Sequence, residues 1–329
     1  MKRIKRALIA VGIIVLLAAG WVFYRLNDHP KLDGYKDLMM SASAEETGKL
    51  RVTFLGVSSL LFDDGDTQIL TDGFFTRPGK LRTFFTRIEP DPTLIAGYLE
   101  RAGINQLKAV IVLHSHYDHA LDATFVARRT GAELIGSQST ANIGDTHGLS
   151  ITIVREGEVL TRGRFKITLI RSNHVPSWFS PKDDIHTPLA LPARQRNFKE
   201  GEVYSVFIEH DGKTILVQGS AGYIPGGLAG RHADIVFLAI GQLGCKDDKY
   251  RADYWHEVVE AVNPRRIIPI HWDDFWLPLD QPLVPMPRLI DNFDKSMEFL
   301  GQRAGHSNPS IDLRILPAWV KVDPWAGLQ

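Results

Sequence analysis

The chain has 329 residues, and its 38 lysines and arginines are balanced by 38 aspartates and glutamates. Balanced charge gives no support for a nucleic-acid partner, whose footprint is a strongly basic face, and a hydrophobic content of 44 % is ordinary for a globular protein. The single cysteine, Cys245, excludes an internal disulfide and any zinc or iron–sulfur site built from cysteines.

The chain opens on MKRIKR, with Lys2, Arg3, Lys5 and Arg6, and then runs from Ala7 to Tyr24 without a charge. A run of that length approaches the roughly 20 residues that cross a bilayer as a helix. Trp21 and Tyr24 fall where an interfacial aromatic belt is expected. Residues 1–25 therefore read as a transmembrane anchor, and the basic flank stays inside, which leaves the rest of the chain outside the cytoplasm. In a Gram-negative cell that is the periplasmic side. The alternative is a signal cleaved near Ala18-Ala19-Gly20 and a secreted product, although the apolar core of such a signal runs only about 7–15 residues.

Residues 26–48 read as a polar connector ending in the helix-prone SASAEETGK, and residues 49–329 as one domain. Short β-rich runs divided by turn residues begin there. RVTFLG, SSLLF and TQILT come first, then the helical PTLIAGYLERAG from Pro92, the strand AVIVL from Ala109 and the helical ATFVARRTG from Ala123. ELIGS, ITIV, FKITLI, YSVFIE, TILVQG, DIVFLA and RIIPI continue as strands, with helices expected at YWHEVVEAVN and at DNFDKSMEFLGQRAG. Interleaved strands and helices without a long linker predict a layered α/β domain. One internal echo stands out: SLLFDDGDTQILTDG from Ser59 resembles SVFIEHDGKTILVQG from Ser205. Each reads as strand, Asp-Gly turn, strand and glycine, which either a duplication or two ordinary hairpins would produce.

Where AVIVL ends, HSHYDH places His114, His116, Asp118 and His119 within six residues. Chance would produce H-x-H-x-D-H in roughly one chain per thousand of this composition. Loops leaving the carboxyl ends of sheet strands are where α/β proteins collect functional residues. Imidazole and carboxylate are the ligands that Zn²⁺ or Fe²⁺ takes when cysteine is absent.

At these residues the sequence resembles the metallo-β-lactamase-fold hydrolases, whose hallmark is H-x-H-x-D-H after a strand. The resemblance runs from about Lys49 to Trp319. RSNHVPSWF supplies His174 and IIPIHWDDF supplies His271, each just after a strand and in the family's order. The opening VTFLGVSSLLF…ILTDG is similar to the branch containing the L-ascorbate-6-phosphate lactonases and the N-acyl-phosphatidylethanolamine-hydrolysing phospholipases D. The resemblance implies a four-layer αββα sandwich of two similar halves. It also implies a first metal on His114, His116 and His174 and a second on Asp118, His119 and His271. Asp72 would orient a ligand histidine, with a turn-capping aspartate as the alternative, and Asp118 would orient the nucleophile as well as bind metal.

The chain departs from the family at TILVQGSAG, where Ser220 follows Gly219 in place of an aspartate that bridges the two metals. A hydroxyl is a weaker ligand and brings no negative charge. The expectation is a firmly held first zinc and a labile second, with iron or manganese as other occupants. The reaction implied is attack by a metal-bound hydroxide on a phosphodiester or ester. FFTRPGKLRTFFTR, PSWF and FWLPLDQPLVPMP interleave aromatics with cations, which suits a membrane surface or a lipid-like substrate. The alternatives are a lactonase or carboxylic ester hydrolase, an iron-dependent redox enzyme of the same fold, and a non-catalytic envelope protein. His186, in the loop SPKDDIHTP, is the candidate for substrate contact. His29, His147, His210, His232 and His306 read as surface or capping residues, and Cys245 as a small buried side chain.

Overall fold

In a computed structural model, which describes residues 2–43, 48–178 and 180–328, the N-terminal apolar run is a helix, Lys2–Arg25. It is long and apolar enough to cross a membrane, and its described apolar side chains are exposed. Residues 44–47 of SASAEETGK and residue 179 of PSWF lie outside the described residues.

Residues 28–43, expected as part of a polar connector, run bonded along the domain. The Met40 N–H donates to the Ile315 carbonyl at 2.9 Å, and the Ser43 N–H donates to the Lys321 carbonyl at 3.1 Å. The reason is five apolar side chains in this stretch, Leu32, Tyr35, Leu38, Met39 and Met40, which pack on the main core.

The strands of the first half are β1 (Arg51–Phe54), β2 (Leu60–Asp63), β3 (Gln68–Thr71), β4 (Arg87–Ile88), β5 (Leu107–Ile111), β6 (Glu133–Gly136) and β7 (Ile151–Ile153). Those that follow are β8 (Val159–Arg162), β9 (Phe165–Ser172), β10 (Ala193–Arg194), β11 (Val203–His210), β12 (Lys213–Gln218) and β13 (Ile235–Ala239). Three more complete the set: β14 (Arg266–Ile270), β15 (Asp312–Leu313) and β16 (Lys321–Val322). They form two seven-stranded sheets, ordered β16-β1-β2-β3-β5-β6-β7 and β8-β9-β11-β12-β13-β14-β15, and β4 pairs with β10 apart from both.

The two sheets repeat one wiring. In each, the first three neighbours in the order pair antiparallel and then a hairpin hands over to three parallel pairings. The second sheet follows the same pattern from β8 to β15. The echoing segments at Ser59 and Ser205 are the equivalent hairpins β2–β3 and β11–β12. The second turns on Asp211 (φ 48°) and Gly212 (φ 74°), the left-handed pair that a two-residue hairpin requires.

Alternation along the strands explains the layering. Val52, Phe62, Ile69 and Ile111 point to the core between the sheets, where Phe62 meets Phe237 edge-on at 6.0 Å. Their neighbours Leu61, Leu70 and Val110 point the other way, onto Ile95, Leu99 and Val126 of the helices Pro92–Arg101 and Ala123–Thr130. The first of these helices starts where Asp91 caps the N–H groups of Thr93 and Leu94 with Pro92 in the first turn. Strands β13 and β14 are buried at every position, as strands covered on both faces must be. The segments Asp248–Tyr254, Trp255–Glu260 and Phe293–His306 supply that cover with Tyr254, Val258, Met297 and Leu300.

Candidate metal centre

The functional candidates converge at the carboxyl ends of strands from both halves, where chain direction brings loops together. Asp72 follows β3, His114 to His119 follow β5, His174 follows β9, Ser220 follows β12 and His271 follows β14. His114, His116 and His174 form one group with ligating atoms within 4.8 Å of one another, and Asp118, His119 and His271 form a second on the same criterion. The two groups adjoin, with the rings of His114 and His119 centred 3.7 Å apart.

Hydrogen bonding selects the nitrogen that three of the imidazoles offer. His116 places Nε2 2.9 Å from the Pro181 carbonyl, and His174 places Nδ1 2.8 Å from the Val175 carbonyl. His119 places Nδ1 2.7 Å from Asp72 Oδ2. A carbonyl or carboxylate partner requires the proton on that nitrogen and leaves a lone pair on the other, the arrangement that metal-ligating histidines use. Asp72 is itself held, since its Oδ1 accepts the Leu113 N–H at 2.9 Å.

The inward atoms fit cations. His114 Nε2 lies 3.1 Å from His116 Nδ1, and His119 Nε2 lies 3.2 Å from His271 Nε2. Two nitrogens each about 2.05 Å from one tetrahedral ion are about 3.3 Å apart. The same spacing accommodates an N–H···N hydrogen bond or a cation held by two lone pairs. Asp118 Oδ2 is 3.4 Å from His271 Nε2 and completes the second group. His114 Nδ1 is buried without a partner among the described residues.

Burial keeps the histidines of the first group in the ligating form. Burial pushes His114 and His174 well below the usual imidazole value and His116 to about 4, so all three are neutral near pH 7. Burial opposes ionisation of Asp118, yet His119 and the hydrogen bond from His271 outweigh it and hold the carboxyl below the usual range. His119 is raised: burial works against its charge, but Asp72 and Asp118 more than compensate.

The backbone is forced into place around the groups. Asp72 (φ 54°), His271 (φ 56°) and the β-branched Val57 (φ 53°) are all left-handed, each at a cost of about 1–3 kcal/mol. Buried bonds maintain them: the His271 N–H donates to the Val57 carbonyl at 2.7 Å, and the Val57 N–H donates to Asp273 Oδ1 at 2.7 Å. Asp273 in turn is bidentate in effect, because its Oδ2 accepts from buried Arg77 at 2.7 Å.

Ser220 is buried beside the ligands, and its Oγ accepts the N–H of Val175 at 3.0 Å, so it steadies the residue after His174. A cavity opens over the two groups. Its walls include Phe84, Tyr117, Phe275, Trp276, Met286 and Ile290, with Ser180, Gln195, Gln242 and Asp291 as polar exceptions. Trp276 Nε1 donates to Tyr117 Oη at 2.9 Å, which fixes one wall.

Not every candidate arrives there. His186 is 70 % exposed, sits 3.5 Å from Asp183 and does not line the cavity, because its loop turns that side chain to solvent. Cys245 is exposed rather than buried, since the short turn Leu243–Cys245 ends at the surface. His210 is buried, against the surface reading, because Asp64 meets its Nε2 at 3.0 Å. The Pro181 carbonyl, the Val175 carbonyl and Asp291 had no side-chain signature in the sequence. Asp291 read as the first residue of a helix, whereas it precedes the helix Phe293–His306 and accepts the Gln242 N–H at 2.8 Å in the cavity wall.

Comparison with known proteins identifies the fold family. A family model described as a beta-lactamase superfamily domain matches residues 67–272. A UPF0173 metal-dependent hydrolase of Thermococcus kodakarensis is 24 % identical over 248 residues, spanning 73 % of this chain and 92 % of that protein. Another, from Staphylococcus aureus, is 23 % identical over 239 residues, spanning 69 % and 87 %. The solved metallo hydrolase Igni18 of Ignicoccus hospitalis shares the fold, with a TM-score of 0.50 and 16 % identity over 83 % of this chain and 97 % of that one. The family match covers well over half of the sequence, and the chain belongs to the metallo-β-lactamase-fold superfamily of metal-dependent hydrolases.

Proposed function

We propose that the protein is a metal-dependent hydrolase that cleaves an ester or phosphodiester bond in a lipid-like molecule, working from the membrane with its catalytic domain outside the cytoplasm. The observation that carries this reading is the pair of ligand groups on the floor of a cavity with aromatic and aliphatic walls. Such walls suit the apolar body of a substrate and leave few polar groups to hold a small, hydrophilic one.

Divalent ions, zinc by the ligand types, would be held by His114, His116 and His174 and by Asp118, His119 and His271. Their chemistry when bound is to lower the pKa of water to about 7 and to stabilise negative charge on oxygen. The chain's own residues supply the order around that chemistry. Asp118, kept ionised, accepts a hydrogen bond from the attacking water and aims it at the substrate. Asp72 holds His119 through Nδ1, and Pro181 and Val175 hold His116 and His174. Tyr117, Phe275 and Trp276 exclude bulk water from the floor and position the apolar part of the substrate.

The test joins metal content to turnover. Protein purified without added metal is expected to carry zinc and to hydrolyse a bis-aryl phosphate or a long-chain ester, with activity and most bound metal lost in His116→Ala. A metal-loaded enzyme inert on phosphodiesters and acyl esters but active on a soluble lactone would replace this reading with the lactonase one.

A further inference from the structure

The helix Lys2–Arg25 does not reach the domain through a free spacer. The chain is tied down twice within a few residues of its end. Lys80 Nζ donates to the Leu26 carbonyl at 2.8 Å. Arg288 donates its backbone N–H to the Asp28 carbonyl at 2.9 Å and Nη1 to Asp28 Oδ1 at 3.1 Å.

Both attachment points belong to segments that frame the cavity. Lys80 begins the short helix Lys80–Phe85, whose Phe84 lines the cavity and packs against Trp276 with rings 5.6 Å apart. Arg288 lies between Met286 and Ile290, both in the cavity wall. Phe84 is one helical turn from Lys80, about 6 Å along the axis. A helix that leaves a bilayer at Arg25 therefore keeps the cavity rim close to the membrane surface.

The same rim is apolar where it faces outward. Leu81 and Phe85 are 75 % and 74 % exposed, and Phe84 and Leu289 are 55 % and 41 % exposed. Arg82 and Arg87 are exposed among them. Contiguous large apolar side chains rimmed by cations match a surface that settles at the headgroup–acyl boundary of a leaflet, with the cations at lipid phosphates.

We propose that the segment Lys80–Arg87, with Leu289, is a membrane-seating surface that sets the cavity mouth on an anionic phospholipid leaflet, so that the apolar part of a substrate enters from the lipid phase. This rests on the reading above that Lys2–Arg25 anchors the protein and that the substrate is lipid-like. Its occupant is the leaflet from which that helix emerges, because the two ties hold rim and helix end together.

The experiment uses full-length protein carrying Cys245→Ser in vesicles of phosphatidylcholine and phosphatidylglycerol. An environment-sensitive fluorophore is placed at Leu81→Cys, at Phe85→Cys, or at Lys108→Cys, which is exposed at the amino end of β5 and serves as control. The Leu81 and Phe85 labels are expected to shift to the blue and to be quenched by brominated lipid, while the Lys108 label stays water-like. Water-like emission at all three positions overturns the proposal. So does shielding that grows with protein concentration in lipid-free amphipol, which would assign the face to a second copy. In a second arm, Leu81→Glu/Phe85→Glu should lower hydrolysis of a vesicle-borne ester about tenfold while sparing a soluble short-chain ester. A wild type inert on both esters would count against the hydrolase reading alone, since the labels still decide the seating.

Discussion

At the scale of single residues, the site depends on which atoms face inward and on what holds their other ends. His119 presents Nε2 because Asp72 takes Nδ1, and His116 presents Nδ1 because the Pro181 carbonyl takes Nε2. Ser220 stands where the resemblance leads one to expect a metal-bridging aspartate. It contributes a neutral hydroxyl beside the Val175 N–H, where a carboxylate would add charge between the two groups. Ser220→Asp is expected to slow loss of the more labile metal equivalent to a chelator, with the three-histidine equivalent unchanged. Metal per protein followed over time in mild chelator checks this, and identical release curves for the two proteins would reject it.

At the scale of elements, the two hairpin-to-parallel units bring loops from distant parts of the sequence to one edge, and close backbone contacts set their spacing. Gly222, just past β12, is packed so tightly that a Cβ there would stand 2.0 Å from the Asn173 carbonyl oxygen. That carbonyl cannot retreat without moving His174, the next residue. Gly222→Ala is therefore expected to destabilise the fold by about 1–3 kcal/mol and to displace the His174 loop. Unfolding curves and metal stoichiometry check the two effects, with reduced metal in a protein that is still folded as the expected result. Full metal content at wild-type stability would show that the loop can give way.

At the scale of the whole molecule, buried acids make stability depend on pH. Asp122 accepts from the N–H groups of Phe75 and Thr76 at 2.7 Å each and from Thr76 Oγ1 at 2.6 Å, tying the loop after β3 to the start of the helix Ala123–Thr130. Burial pushes its carboxyl up to about 6 from an ordinary 3.8, against the pull of those donors. The folded protein thus holds a proton that the unfolded chain releases. This contribution is fully present below the unfolded value and is lost as pH rises towards about 6. Its full extent is on the order of 3 kcal/mol. Thermal midpoints of wild type and Asp122→Asn, measured between about pH 4 and about pH 6.5, should diverge in slope, with the wild type falling more on going up. Parallel slopes would mean that the donors, and not burial, control the carboxyl.

Much of the ligand set was legible in the sequence, because four of its members lie within one six-residue turn where a buried strand ends. His174 and His271 were legible for a related reason, as polar residues placed directly after apolar strand runs. The layered fold was readable from strand and helix runs that interleave without a long linker. The sequence by itself thus determined which residue types stand at strand ends and in what order. Tertiary structure decided what those residues meet, because their partners, apart from the Val175 carbonyl next to His174, lie tens to hundreds of positions away. Pairing β13 between β12 and β14 sets Ser220 and His271 at one edge of the second sheet, and packing of the two sheets brings that edge to the loop after β5. The Pro181 and Val175 carbonyls that orient two histidines are backbone atoms, and composition carries no mark of them. His186 stays in solvent and Cys245 at the surface because their loops turn outward, a matter of chain path and not of residue type. The five apolar side chains that fasten residues 28–43 were visible as letters. Their effect, to hold the helix end against the cavity rim, appears only once Leu26 and Asp28 are seen bonded to Lys80 and Arg288.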